Sequence, residues 1–509
     1  MPQYWACSSP FPGWLSRGSH CPWAEVFRIC NNSATLNPHN APLAGAPRGF
    51  RHNPIPEIAP LYRLSSCLLA GLLAAPPVVA AESTSDNFVE ETSQAKVQTT
   101  WIWQKKPGFS AAYSGQNSLT TDREKAYTFT TTAYFGTRLW QGGEFYFNPE
   151  VSQGIPLSNL NGLGGFTDGE ATRASGPNPT LYRQRLFLRQ TWGLGGGQEK
   201  QESEQNQMAG LVDKNRFVLT VGNFSTLDVF DDNSYAKDPR IQFMNWSNMT
   251  YLAYDYAADA RGFGWGFAGE WYQGDWVFRF GRMTGPKDPN MLPTDYALGK
   301  HFGDQVEVEH AHTLGGQPGK LRLLAWRNKA NLASFSDALA YGRSVNFAPD
   351  PVYGQQYIFR VRNGEKIKYG VGINAEQAIN DDLGLFLRAM KADGRTETWA
   401  FAEADASLSM GGVLKGSAWG RSQDTVGVAL ARNMLSKDRR DYLASGGISF
   451  FIGDGGLNYR AEDVLETFYN WNVIKHAWLT ADYQHIRNPS YNADRGPVDV
   501  YSVRVHTEF

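Results

Sequence analysis

The chain has 509 residues, a length that alone would suggest two to four soluble domains. Its composition argues against that. With 16 Trp, 23 Tyr, 29 Phe and 52 Gly it carries an aromatic load suited to membrane-interface girdles, yet a mean hydropathy of −0.43 is too polar for a bundle of membrane helices. The formal net charge of −2 leaves no basic excess of the kind that nucleic acid requires.

Residues 1–60 are rich in Pro, Cys, Trp and His without periodicity, and read as a disordered extension upstream of the true translation start. Arg63 precedes an apolar run from Leu68 to Ala81 that is too short to span a bilayer as a helix. With Val79-Ala80-Ala81 before Glu82, residues 61–81 read as a secretory signal peptide cleaved at Glu82. Leu64-Ser65-Ser66-Cys67 superficially resembles a lipidation box, but its apolar stretch follows the cysteine instead of preceding it. All four cysteines (Cys7, Cys21, Cys30, Cys67) precede Glu82, so the mature chain has no disulfide framework and no thiolate chemistry. Five of the 48 basic and two of the 50 acidic residues are lost with the signal, leaving 43 against 48 and a net charge of −5.

Residues 82–97 read as a short periplasmic lead, and 98–509 as strand and turn to the end. Thr128, Thr130, Thr132 and Tyr134 alternate with Phe129, Thr131, Ala133 and Phe135. Phe263, Trp265, Phe267 and Trp271 lead to a turn at Gly274-Asp275, and Trp276, Phe278 and Phe280 return; this is a hairpin. Further turns are expected at Gly315 to Gly319, Asn380 to Asp382, Gly411-Gly412 and Gly453 to Gly456. Thr396 to Asp405 is a strand candidate without an assignable direction. Stretches near 153–180, 195–212, 228–260 and 284–302 read as surface or inward-folded loops, the second as mobile filler.

The last strand is the most telling. From Phe509 backwards, Thr507, Val505, Val503 and Tyr501 form a mostly apolar face, while Glu508, His506, Arg504 and Ser502 form a polar one. A strand between lipid and a wet lumen needs this pattern. The fold expected is all-β, a transmembrane antiparallel β-barrel of 16 strands, with 18 the next count.

In such a barrel, function lies in what lines the hole. Arg183, Arg185 and Arg189 fall on one face of a strand whose other face carries Tyr182, Leu186, Leu188 and Trp192. Arginine facing mid-bilayer lipid costs roughly 2–4 kcal/mol, so the row is expected to face the lumen. The same argument places Arg279, Arg360 and Arg362 inside, balanced by Glu144, Glu150 and Glu270. Lumenal charge also serves merely to keep a barrel wet, so each single residue is open to that plainer reading. His310-Ala311-His312 offers two histidines on one face, read as a wet-face pair because no third metal ligand is evident. No local motif supplies the Ser/His or Asp/His constellation of an outer-membrane enzyme, and no cofactor is expected.

One segment goes beyond generic barrel pattern. It runs from Gly222-Asn223-Phe224-Ser225 through Asp228, Asp231, Asp232, Asp238-Pro239-Arg240 and Gln242-Phe243-Met244-Asn245-Trp246 to Tyr256 through Gly262. Tyr113 through Leu119, Phe147-Asn148-Pro149-Glu150, Glu462 to Asn470 and Leu479 to Gln484 agree with it in order. The chain resembles the carbohydrate-selective porin family (OprB-like) over 97–509. It departs from the family in the penultimate strand at Ala481, where a proline often precedes the Asp. The resemblance implies a monomeric 16-stranded barrel in the outer membrane of a Gram-negative bacterium, with a charge-lined constriction for mono- and possibly oligosaccharides. The polar loop residues Asp228, Asp231, Asp232, Asp238 and Arg240 are expected mostly to pin a loop against the wall. Partners expected are small neutral sugars, outer-membrane lipid and, through the aromatic terminus at Phe509, the barrel assembly machinery. A general diffusion porin for small hydrophilic solutes and a surface adhesin or receptor are the alternatives.

Overall fold

The computed structural model describes residues 90–173 and 176–509; the expected signal segment, the stretch before it and all four cysteines lie outside them. The alternating segments become strands β1 (Ser93–Lys106), β2 (Glu124–Trp140), β3 (Gly143–Ile155), β4 (Gly176–Gly193), β5 (Gln198–Gln201) and β6 (Gly210–Asp213). There follow β7 (Arg216–Phe224), β8 (Gly264–Gln273), β9 (Trp276–Met283), β10 (Phe302–Leu314), β11 (Gln317–Asn331) and β12 (Glu365–Ala378). The last are β13 (Leu383–Ala392), β14 (Ala406–Gly416), β15 (Arg421–Met434), β16 (Glu462–Ile474), β17 (Ala477–Arg487) and β18 (Val498–Glu508). All but β5 and β6, which pair with each other, form one closed barrel of 16 strands. Closure sets Trp101 opposite Val505 and Lys105 opposite Tyr501 across β1 and β18. A closed ladder satisfies every strand's backbone within the wall, which is what hydrocarbon demands.

The faces follow the sequence pattern. On β18, Tyr501 and Val505 are exposed on the outside while Ser502, Arg504 and His506 are buried within. Trp276, Phe278 and Phe280 of β9 are exposed outside, and His310 packs against Trp276 with the rings tilted and their centroids 4.3 Å apart. The histidine pair therefore belongs to the outer aromatic girdle instead of the wet face, because Glu307 and Glu309 hold the inward register of β10.

Turns of two to four residues follow β2, β8, β10, β12, β14 and β16, at the end that also holds both barrel termini. By the length rule for outer-membrane barrels this end is periplasmic. Loops 107–123, 156–173, 225–263, 284–301, 332–364, 393–405, 435–461 and 488–497 crowd the opposite end. Several turn inward, and the main hydrophobic core lies inside the barrel: Trp246, Tyr254, Phe335, Trp399, Phe401 and Tyr442 come from loops and meet Trp326 of the wall.

Other expectations are corrected as well. Thr396 to Asp405 includes no strand beyond a bridge residue; it is a buried loop with Trp399 1% and Glu403 0% exposed, because its alternate aromatics fill the barrel's own core. Gly411-Gly412 lies in mid-β14, where the missing side chains admit Phe386 and Leu385 of the neighbouring strand. The stretch near 195–212 is an ordered hairpin rather than loose filler: Met208 is buried in the cluster with Tyr146 and Phe187, and Glu91 accepts from the Ala209 amide at 2.7 Å. Ser93, where β1 starts, falls inside the stretch read as a periplasmic lead.

Candidate pore constriction

Loop 225–263 leaves β7 and crosses the lumen. Its first turn is capped, with the Ser225 amide donating to Asp228 at 2.9 Å. Asp231 then takes the left-handed conformation at φ 57, which an Asp tolerates better than most residues. Its carboxylate accepts from Arg388 of β13 at 2.8 Å, Asn374 of β12 at 2.6 Å and Thr250 at 2.7 Å, while its amide donates to Glu307 of β10. Tyr235 lies flat over Gly384 of β13, where any Cβ would sit 2.0 Å from the ring. Only glycine allows that approach.

The loop then reaches the far wall. Arg504 of β18 donates to the carbonyls of Pro239 and Gln242 at 2.6 and 2.8 Å. Asp238 accepts from the Arg240 amide at 2.8 Å, and the Arg240 guanidinium lies between Glu150 of β3 and Glu170 of loop 156–173, at 3.1 and 3.0 Å. Glu466 of β16 accepts from the amides of Met244 and Asn245 at 2.5 and 3.1 Å. The one loop is thus bonded to opposite sides of the barrel. Asp231 and Arg240 tie it to the wall, while Asp238 braces the turn at Arg240 from within the loop.

Not every charge in the loop is spent on pinning. Asp228 meets Arg185 of β4 at 2.6 Å with 27% of its side chain still accessible. Asp232 meets Lys237 at 2.6 Å, and the two are 40% and 37% accessible. Burial works to raise the Asp228 carboxyl, yet the Arg185 guanidinium holds it below the ordinary carboxylate range. The Lys237 ammonium, with Arg322 behind it, holds Asp232 well below that range. Both stay ionised at any physiological pH. Aromatic faces stand beside them: Arg173 and Arg185 lie 5.4 and 5.2 Å over Phe263, and Arg261 lies 4.3 Å over Tyr182.

The expected wall residues divide. Arg185 and Arg189 face inward, Arg189 donating to the Asn206 carbonyl at 2.7 Å. Arg183 does not. The ladder slips between Asn148 and Pro149, so Gln184 and Arg185 both turn inward and Arg183 is left on the outer surface over Trp265. A bulge shifts every side chain beyond it to the other face. Glu150 is fully buried and accepts from Tyr182, Thr132 and Gln184. Glu144 accepts from the Tyr146 hydroxyl near the periplasmic rim. Arg279 bridges Glu270, Glu307 and Glu309 at 3.0–3.1 Å. Arg360 and Arg362 are not on a strand: Arg360 ends a helical turn, Tyr357–Arg360, in loop 332–364 and pairs with Asp350 at 2.8 Å, while Arg362 pairs with Glu397. The alternation there belongs to a loop whose side chains fold against Asp350 and loop 393–405.

Sequence reasoning missed the opposite wall. Glu307, Glu309 and Arg322 alternate with Val306, Val308, Leu321 and Leu323, a legible signal of inward charge. Arg322 joins Glu309, Glu376 and Asp232 at 2.7, 3.2 and 3.6 Å. Lys320, 40% accessible, stands beside Glu309. A cavity of about 470 Å3 opens here at the periplasmic side of the loop, lined by Ser234, Tyr235, Ala311, Lys320 and Glu376; small-ligand pockets span roughly 300–1,000 Å3.

Residues 116–509 match the model of the carbohydrate-selective porin, OprB family. The chain belongs to that family. Among solved structures, the high-pH structure of OprB from Pseudomonas putida is 15% identical with a TM-score of 0.60, over 82% of this chain and 94% of that one. The outer membrane channel DcaP of Acinetobacter baumannii is 10% identical with a TM-score of 0.47, over 82% of this chain and 97% of that one. No curated protein sequence matches. The chain is an outer-membrane porin of the Gram-negative type, a 16-stranded diffusion channel for sugars.

Proposed function

We propose that mono- and small oligosaccharides diffuse passively along the part of the lumen left open by loop 225–263, past Arg185–Asp228 and Asp232–Lys237 and beside Lys320 and Glu376. The observation that carries this is the pairing of the accessible charges. Asp228 and Asp232, two of the loop's accessible carboxylates, each have a cation at 2.6 Å. Such a path offers many hydrogen-bond donors and acceptors but little net field, so it attracts neither small anions nor cations strongly. A polyhydroxylated neutral solute gains hydrogen bonds from both members of each pair. Transport needs no energy source beyond the gradient, and the reading is of a channel without a catalytic step. We also read residues 61–81 as the export signal and Phe509 as the contact for the assembly machinery.

The test is liposome swelling with the refolded mature barrel, comparing glucose, larger sugars and an amino acid of glucose's size. Sugars are expected to enter faster than the size-matched amino acid. Equal entry at equal size would make the barrel a general sieve and overturn the reading.

A further inference from the structure

The outward face of the barrel carries arginines where lipid should be. In one row, Arg282 of β9, Asp304 of β10 and Arg327 of β11 stand directly opposite one another across three adjacent strands. In a second, Arg432 of β15, Asp463 of β16 and Arg487 of β17 repeat the order. Each middle carboxylate is taken by a flanking guanidinium in a two-bond pair. Arg282 donates to Asp304 at 2.6 and 2.9 Å, and Arg432 to Asp463 at 2.7 and 3.0 Å. The arginines remain accessible: Arg327 is 55% exposed, Arg432 58%, and Arg487 is exposed as well. Each row holds two guanidiniums for one carboxylate, and arginine does not deprotonate in proteins, so each carries a net positive charge at any physiological pH.

Their height decides what they meet. All four arginines lie at the strand ends that lead into the extracellular loops. Beneath them on the outer face are Phe278 and Phe280 for the first row and Val428 and Leu430 for the second, exposed apolar side chains of the lipid belt. The rows therefore stand where acyl chains end and headgroups begin in the outer leaflet. Lys105 and Lys125, opposite each other on β1 and β2, hold the same level elsewhere.

We propose that the two Arg–Asp–Arg rows bind the phosphates of the phosphorylated glycolipid (lipid A) that forms the outer leaflet, its acyl chains lying on the apolar belt below. A guanidinium fork matches a phosphate bidentately. The central carboxylate sets both flanking forks in the first row and that of Arg432 in the second, and leaves the charge balance positive, as an anionic ligand requires. Headgroup recognition by clustered bases at a membrane rim follows the same electrostatics.

The test uses the full mature barrel in detergent, with retained lipid counted by native mass spectrometry after incubation with bis-phosphorylated lipid A. The variants are Arg282→Gln with Arg327→Gln, Arg432→Gln with Arg487→Gln, and all four together, each checked for folding by heat-modifiable electrophoretic mobility. The wild type is expected to hold lipid A, and each double variant to hold it about tenfold less tightly at its own row, the loss of roughly one charge-assisted bond. Wild-type retention by the fourfold variant would overturn the proposal. Should the variants not fold, the wild-type barrel alone decides: equal retention of lipid A stripped of its phosphates would overturn it, and so would binding of inorganic phosphate without preference for the lipid.

Discussion

At the scale of single residues, the site turns on which way an arginine points. Arg183 and Arg185 are two apart and would share a face in a regular strand, yet the slipped ladder at Pro149 sends Arg183 outward and Arg185 to Asp228. Proline has no amide for the ladder, so a slip beside it is physically natural, but nothing in the local pattern says which side of Pro149 absorbs it. The two residues make a paired experiment. Arg185→Ala removes a guanidinium from the path and frees the Asp228 carboxylate; single-channel recording is expected to show higher conductance and a shift toward cation selectivity. Arg183→Ala touches only Trp265 on the outer face and should leave both unchanged. Were the two variants to behave alike, the inward placement of Arg185 would be wrong. In the same way Asp232→Asn leaves the Lys237 ammonium beside an amide, and the reversal potential in a salt gradient should move toward anion selectivity.

Among elements, strands were the legible part and loops were not. A strand's two faces are written into its own residues by a period of two, so β2, β8, β9 and β18 could be read without their neighbours. Loop 393–405 has the same alternation, at Trp399, Phe401 and Glu403, for an unrelated reason: its side chains fill the core inside the barrel, a partner the segment's own sequence does not name. The polar motif of loop 225–263 was legible as a pinned loop because Asp, Asn, Gly and Pro suit turns and hydrogen bonds; its anchors on β10, β12, β13, β16 and β18 were not. Those anchors predict how the loop comes loose. Arg388→Ala strips the buried Asp231 carboxylate of its cation, and breaking a buried pair costs about 3–5 kcal/mol. Gly384→Val forces the Tyr235 ring from its seat, at about 1–3 kcal/mol for overpacking. Either should raise conductance and its noise in planar bilayers; a channel as quiet as the wild type would mean that the loop is held elsewhere.

Loop 156–173 adds a pH-dependent element. Burial pushes the Asp168 carboxyl up to about 6, against the Thr128 hydroxyl that donates to it at 2.6 Å. A carboxyl whose pKa is raised on folding binds more protons in the folded state, so its contribution to stability is greatest at acid pH. That contribution is lost as pH rises from about 4 through about 6. Thermal unfolding of Asp168→Asn, which stays neutral throughout, should depend less on pH across that window than the wild type does. An identical pH dependence would remove Asp168 from the account.

For the whole molecule, wall and plug obey separate physics. The wall's backbone hydrogen bonds run from strand to strand in a closed ladder and owe nothing to the loops within. The plug is tied to the wall by side chains, among them Arg388–Asp231, Arg240–Glu150 and Glu466 with the Met244 and Asn245 amides. Cutting several ties should therefore open the pore without unfolding the barrel. The triple variant Arg388→Ala, Arg240→Ala and Glu466→Gln is expected to keep the heat-modifiable electrophoretic shift of a folded barrel while its conductance rises and its discrimination between glucose and a size-matched amino acid falls. Loss of the folded band would show that the wall depends on its plug. Retained discrimination at raised conductance would place sugar selectivity elsewhere, and the periplasmic side, where Lys320 and Glu376 line the cavity and Met208 inserts beside Tyr146 and Phe187, is the next place to cut.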